Sequence, residues 1–84
     1  MSYSVDWAPN ALSILAAIWV SSPDRGAVNR AQTRIDRLLA ADPLGNGTNV
    51  SEGLYAIEVY PLRVLFEVSE VDQFVRVVFV RELP

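Results

Sequence analysis

Arginine is the residue type in this sequence whose placement most strongly suggests binding chemistry. All seven basic residues are arginine, and the chain contains no histidine, lysine or cysteine. Forked guanidinium donors bind phosphate and carboxylate groups. The missing side chains are the usual general bases, thiol nucleophiles and metal ligands. The composition therefore predicts anion recognition rather than serine or cysteine catalysis, and we expect no cofactor and no metal.

One group of arginines lies in the C-terminal half of the chain. Arg63 follows a predicted turn, and Arg81 ends the last predicted strand. On an antiparallel sheet these two side chains can converge at one end of one face. One interpretation is a binding site for a phosphate or carboxylate group, with Glu58, Glu67, Tyr55 and Tyr60 around it. The other is a set of cross-strand ion pairs, such as Arg63 or Arg76 with one of these glutamates.

A second group lies on the second predicted helix. Arg30, Arg34 and Arg37 follow one another at i, i+4 and i+7, so they share one helix face. This ridge is either a solvated face or a docking site for an acidic partner or nucleic acid. The net charge of −3 argues against nucleic acid, because basic surfaces supply most of that affinity.

The first predicted helix, residues 9 to about 20, is apolar on nearly all sides. Leu12, Leu15 and Trp19 lie on one stripe, and further apolar residues flank it. A helix of this kind is either buried or meets a partner. In a domain this small, the stripe predicts core packing or a surface for another protein, including a second copy of the chain.

The elements that position these residues follow from periodicity and turn signals. Alternation predicts a strand at residues 3–7. Ser22-Pro23-Asp24 predicts the start of a second helix, with Ser22 as the cap and Pro23 as the first helical residue, that runs to about residue 41. Residues 44–51 read as a loop, followed by strands at 54–59, 63–68 and 74–81. The expected fold class is α+β, in the order β-α-α-β-β-β. A two-helix hairpin should pack on one face of a mainly antiparallel four-stranded sheet, within a single domain at residues 1–84.

Composition also predicts the cellular location of the protein. Hydrophobic residues form 51% of the chain, which excludes a disordered tail. The longest apolar stretch, residues 11–20, is about half the length of a membrane span. We therefore expect a cytoplasmic protein with no membrane association and no signal peptide.

Three segments together resemble the RelE/ParE superfamily of toxins, the plasmid stabilisation family. Residues 52–68 resemble its central hairpin, in which a strand and a turn precede an arginine and then aliphatic and aromatic residues. Residues 35–43 are similar to the end of its second helix, with an Asp-Pro exit. Residues 3–11 resemble its first strand and Pro-started helix, and the element order agrees over nearly the whole chain.

The resemblance implies a toxin of a bacterial type II toxin–antitoxin pair, neutralised by a small antitoxin that wraps around it. RelE-like members cleave mRNA on the ribosome, whereas ParE-like members poison DNA gyrase without cleaving bonds themselves. Arg63 matches the family's strand arginine, and Arg81 lies within one or two residues of its last-strand arginine. The lysines, the histidine and the late tyrosine typical of RelE-like members are missing, since nothing aromatic follows Phe79.

These departures favour a ParE-like toxin that acts by protein contact. Its partner-binding residues would be those of the helical surface: Arg30, Arg34, Arg37, Leu12, Leu15 and Trp19. The alternative is a ribosome-dependent endoribonuclease, in which Arg63 and Arg81 hold the phosphate and Glu67 or Glu58 is the base. A third possibility is a non-toxic homologue that binds only a partner.

Overall fold

Eight regular elements follow one another along the chain. The computed structural model describes residues 2–84, so Met1 of the predicted domain lies outside the described residues. The elements are β1 Ser4–Trp7, α1 Pro9–Ser21, α2 Arg25–Ala41, α3 Pro43–Asn46, β2 Thr48–Ser51, β3 Leu54–Val59, β4 Leu62–Ser69 and β5 Phe74–Glu82. None of the helices in this part of the chain is both long and apolar enough to span a bilayer.

The strands form one sheet in the order β1-β5-β4-β3-β2. Strands β2 to β5 pair antiparallel, and β1 joins the edge parallel to β5. This arrangement confirms the α+β class, the antiparallel meander and the edge position of the first strand. Strands β1 and β5 can pair in parallel because the connection between them is long, with three helices and strands β2 to β4.

The sheet has one strand more than predicted. Residues 48–51, which the sequence suggested were loop, form β2 and pair with β3, with Thr48 opposite Ala56 and Asn49 opposite Tyr55. All four residues are exposed, and a register shift follows Asn49. The segment therefore has no hydrophobic alternation, and backbone pairing with β3 alone makes it a strand.

Helix α2 begins two residues later than predicted, and its cap is Asp24 rather than Ser22. The Asp24 carboxylate accepts a hydrogen bond from the Ala27 backbone N–H at 3.0 Å. The Ser22 hydroxyl instead accepts one from the Asp24 N–H at 3.2 Å. A carboxylate is favoured at this position because it satisfies a free N–H and complements the helix dipole.

The core lies between the helices and one face of the sheet. Helix α1 packs mainly on β5, and α2 packs on β3 and β1. The Trp7 indole N–H donates a 2.7 Å hydrogen bond to the Asp36 carboxylate and so ties β1 to α2. The largest fully buried side chains come from α2, α3, β4 and β5: Val28, Ile35, Leu39, Pro43, Leu62, Val64, Phe66, Val75, Val77 and Val80.

A bulge in β5 controls which of its side chains reach this core. Leu65 is opposite Phe79, whereas the next residue, Phe66, is opposite Val77, so Val78 is the extra residue. An extra residue reverses the alternation of the strand beyond it. Val75 and Val77 before the bulge point inward, and after it Val80 is buried while Phe79 is 40% exposed.

Gly47 packs so closely against the core that a side chain has no room there. A Cβ at this position would lie 2.5 Å from the Phe66 ring and 2.9 Å from the Pro43 carbonyl oxygen. Gly47→Ala should therefore destabilise the protein by about 1–3 kcal/mol through overpacking. Urea unfolding followed by circular dichroism measures the difference.

Gly26→Ala is the matched control for this change. It lies in the first turn of α2, where the nearest atom to a new Cβ is the end of the flexible Arg30 side chain. We expect this variant to be more stable by about 0.4–1 kcal/mol, because alanine restricts the unfolded chain. Equal effects of the two substitutions would contradict the packing assigned to Gly47.

Candidate functional site

The sheet face opposite the helices carries the predicted arginine pair. Arg63 on β4 is the direct cross-strand partner of Arg81 on β5, so the structure brings these two residues together. On its other side, Arg63 is opposite Glu58 of β3. The Arg63 Nη1 atom lies 2.7 Å from the Glu58 Oε2 atom, in a hydrogen-bonded ion pair. This carboxylate offsets the repulsion expected between two facing like charges.

Apolar side chains surround the arginine pair. Leu65 and Phe79 face each other one row further along the sheet, and Val50 projects from the edge strand β2. Together with Arg63 and Arg81 they line a concavity of about 230 Å³, which we call the Arg63–Arg81 site. The site thus combines two guanidinium groups with an apolar floor, and such a site can hold an anionic group attached to an apolar one.

Sequence analysis did not single out Phe79 and Val50. The signal for Phe79 was available, because it precedes Arg81 by two residues in a strand and so shares its face. Val50 gave no such signal, since its segment was interpreted as a loop.

Glu67 lies on the same sheet face but not in the Arg63–Arg81 site. It follows Arg63 by four residues on β4, a distance of about 13 Å along a strand. Its cross-strand partner is Arg76, which forms a 3.5 Å ion pair with Asp6 of β1. Of the two glutamates weighed as a general base, Glu58 is therefore the one beside the arginine pair.

The helical side of the molecule carries the second group of arginines. Arg30, Arg34 and Arg37 are on the surface of α2, and with Asn29 and Thr33 they line a shallow depression, the arginine ridge. Arg30 lies 4.0 Å from the Asp24 carboxylate. Within residues 2–84, no ion pair involves Arg34 or Arg37, so their charges are available to a partner.

An apolar groove runs between α1 and α2 next to this ridge. Leu12, Trp19 and Val20 of α1 are 47%, 39% and 62% exposed, whereas Leu15 and Val28 are buried and form the floor. The groove has a volume of about 350 Å³ and is completed by Ala16, Asn29 and Gln32. One side of α1 packs into the core, as one of the two alternatives for this helix predicts, and the other side lines this α1–α2 groove.

The groove and the arginine ridge are continuous, because Asn29 lines both. Together they form one continuous surface, apolar on one side and positively charged on the other, which we call the docking surface after the role predicted for its residues. This surface holds all six residues predicted to bind a partner. Leu15 contributes from the floor rather than as an exposed contact.

Comparison with known proteins identifies the fold. No protein-family model matches the sequence, and no curated protein matches it. Among solved structures, the toxin–antitoxin complex RelBE2 of Mycobacterium tuberculosis superposes with a TM-score of 0.80 at 17% identity, covering 98% of this chain and 99% of that one. The ParDE toxin–antitoxin system of P. aeruginosa gives 0.70 at 17% identity, covering 98% and 97%. The intact RelBE complex of E. coli gives 0.67 at 17% identity, covering 98% of each chain.

The chain therefore has the fold of RelE/ParE toxin–antitoxin proteins over nearly its full length, which confirms the structural part of the resemblance. RelE-type and ParE-type structures both match, so the fold does not choose between their mechanisms.

Proposed function

We propose that this protein is the toxin component of a bacterial type II toxin–antitoxin pair, that it acts by contact with a protein target, and that a small antitoxin neutralises it. The fold supports the toxin role. One observation carries the contact mechanism: the carboxylate beside the arginine pair, Glu58, is held by Arg63 at 2.7 Å.

This pairing matters because RNA cleavage needs three functions. A base must take the proton of the 2′-hydroxyl, positive groups must stabilise the phosphorane, and an acid must protonate the leaving oxygen. Arg63 and Arg81 supply the positive charge, but guanidinium stays protonated and is a poor base. Glu58 is engaged with Arg63, and Glu67 lies opposite Arg76.

Charge supports the same conclusion. The chain carries a net charge of −3, and the Arg63–Arg81 site has an apolar floor of Val50, Leu65 and Phe79. Binding to ribosomal RNA relies on many basic contacts that release counterions. A site with two arginines and an apolar floor offers few such contacts.

For the antitoxin, we propose the docking surface as the binding site. Its occupant would be an amphipathic helix, with apolar residues in the α1–α2 groove and acidic residues along the flank that meets the arginine ridge. The groove's exposed Leu12, Trp19 and Val20 support the apolar half of this proposal. The free charges of Arg34 and Arg37 support the acidic half through charge complementarity.

Induced expression in a bacterial host tests the toxin role and the mechanism together. Growth, DNA synthesis and protein synthesis are followed by pulse labelling, and mRNA is mapped for cleavage. We expect growth arrest in which DNA synthesis falls first and mRNA stays intact. Protein synthesis falling first, with mRNA cut at codon boundaries, would establish the endoribonuclease instead. Unaffected growth at high expression would favour a non-toxic, partner-binding protein.

The endoribonuclease is the second candidate because of a specific observation, the direct pairing of Arg63 with Arg81 next to Glu58. In that mechanism the arginines hold the scissile phosphate, and Glu58 rather than Glu67 is placed to act as base. In the endoribonuclease mechanism the ribosome would be the partner. In the contact mechanism the partner would be DNA gyrase or another protein.

The variant Arg63→Ala separates the two candidates. For a contact toxin we expect growth arrest within about twofold of wild type, because Arg63 is largely engaged with Glu58 and the helical surface carries the contacts. For an endoribonuclease, loss of a charge-stabilising group should lower cleavage by about 10²–10³-fold. Viable counts after induction measure the difference. Arg76→Ala, on the same sheet face but outside the Arg63–Arg81 site, is the control.

A further inference from the structure

Arg25 joins the two helices that form the α1–α2 groove. Helix α1 ends at Ser21 with no basic residue in its last turn, and its final carbonyl oxygens need donors. The Arg25 side chain, from the first residue of α2, supplies two of them. Its Nε donates to the Trp19 carbonyl oxygen at 3.0 Å, and its Nη2 donates to the Val20 carbonyl oxygen at 2.9 Å.

The same guanidinium also contacts the Trp19 side chain. The Arg25 Cζ atom lies 4.7 Å from the centre of the Trp19 ring, within the range of a cation–π interaction. Trp19 is therefore held at two points by one side chain: its carbonyl by a hydrogen bond and its ring by stacking. The two hydrogen bonds fix the plane of the guanidinium, and this fixes where the ring can lie against it.

Trp19 is the largest side chain that lines the α1–α2 groove, and it is 39% exposed. An exposed tryptophan that must be ordered on binding loses side-chain entropy at that moment, which weakens affinity. A ring that is already held in place loses little side-chain entropy on binding. The contacts of Arg25 therefore affect the affinity of the groove for a partner, although Arg25 is not among the groove's lining residues.

From this geometry we propose that Arg25 is a positioning residue, which fixes Trp19 as a wall of the α1–α2 groove before a partner helix arrives. The inference rests on the proposed function, since it assumes that the groove receives a helix. It adds a residue outside the groove and assigns it an effect on affinity. A helix cap without this role would affect stability alone.

Arg25→Lys is the decisive variant, because lysine keeps the charge and loses the planar fork. Arg25→Gln is a second variant that removes the charge. The Arg25 side chain lies at the surface, so both variants should fold. Arg76→Lys is the matched control, because the Arg76 guanidinium also lies over an aromatic ring, that of Phe74 at 5.8 Å, on the other face of the sheet.

The readout is fluorine NMR of protein labelled with fluorotryptophan, which gives one signal for each tryptophan. Trp7 is buried and bonded to Asp36, so its signal reports whether the core is intact. The Trp19 signal reports the order of the groove wall. The binding probe is a synthetic amphipathic helical peptide with a leucine stripe flanked by glutamates, and its counterpart with lysines in place of the glutamates is the charge control.

We expect the Trp19 signal to broaden or shift in both Arg25 variants, while the Trp7 signal stays in place. We expect the glutamate peptide to bind Arg25→Lys about 3- to 10-fold more weakly than wild type, as the loss of preorganisation for one side chain predicts. An unchanged Trp19 signal, or a changed signal with unchanged affinity, would overturn the inference.

Failure of the proposed function gives a different result. If wild type does not bind the glutamate peptide, or binds the lysine peptide equally well, the docking surface is overturned. The Trp19 signal would still respond to Arg25→Lys in that case, so the two failures can be told apart.

Discussion

Phe66→Ala should destabilise this protein by about 3–5 kcal/mol, a larger loss than we expect from any of the other substitutions. The Phe66 side chain is fully buried in the centre of β4. Its ring stacks on Tyr55 of β3 with centroids 5.8 Å apart, and it lies against Gly47 at the start of β2. Alanine would leave a cavity where β3, β4 and the segment around Gly47 meet, and these parts of the fold cannot all move in to fill it.

A loss of this size is serious for a small domain, because the folded state is stable by only about 5–15 kcal/mol in total. We expect the urea midpoint to fall sharply, with a population of unfolded protein already present without denaturant. Circular dichroism during urea titration measures both.

Phe79→Ala is the control for this prediction. Phe79 lies in the adjacent strand, but the β5 bulge places it on the open face, where it is 40% exposed. We expect its removal to change stability by about 0.5 kcal/mol or less, as for an exposed surface substitution. Comparable losses at the two positions would contradict the assignment of the buried and open faces of the sheet.

Under the proposed function, the double variant Leu12→Ala, Trp19→Ala should weaken antitoxin binding by about a hundredfold or more. Both side chains line the α1–α2 groove and are partly exposed in the free protein. Large apolar side chains at the centre of an interface each contribute about 2 kcal/mol or more when they become buried by a partner. Their removal should leave the fold intact, because neither residue belongs to the buried core.

The measurement has two stages. A selection for clones from the encoding genome that restore growth during induced expression identifies the antitoxin, and calorimetry then gives its affinity for each variant. Leu65→Ala, in the Arg63–Arg81 site on the other side of the molecule, should bind the antitoxin as tightly as wild type. Equal affinity of the double variant and wild type would place the antitoxin elsewhere.

Short-range signals determined a large part of this structure. Helix α1 starts at Pro9, α2 ends before Asp42-Pro43, and β3 spans 54–59, all as periodicity and turn residues predict. These elements depend on neighbours within a few residues, through caps, proline geometry and alternation. The predicted arginine ridge on α2 is of the same kind, because helical spacing alone puts Arg30, Arg34 and Arg37 on one face.

The two glutamates differ in their cross-strand partners. For the endoribonuclease alternative, the sequence predicted Glu67 or Glu58 as the base. Strand register places only Glu58 beside the arginine pair, since Glu58 is opposite Arg63 and Glu67 is opposite Arg76. Register depends on how two distant strands align, which no residue near either glutamate encodes on its own.

What the sequence determined by itself was the order and type of most elements, the apolar and basic faces of the helices, and the absence of histidine, lysine and cysteine. Only the tertiary structure decided which strands pair and in which register. The exposed segment 48–51 becomes a strand because β3 offers it backbone partners, and the bulge at Val78 turns Arg81 to the face of Arg63. Simple alternation would have placed Arg81 on the face of Val75 and Val77, inside the core. Both features are stabilised by contacts between segments that are far apart in sequence. The periodicity of a single segment therefore cannot predict them.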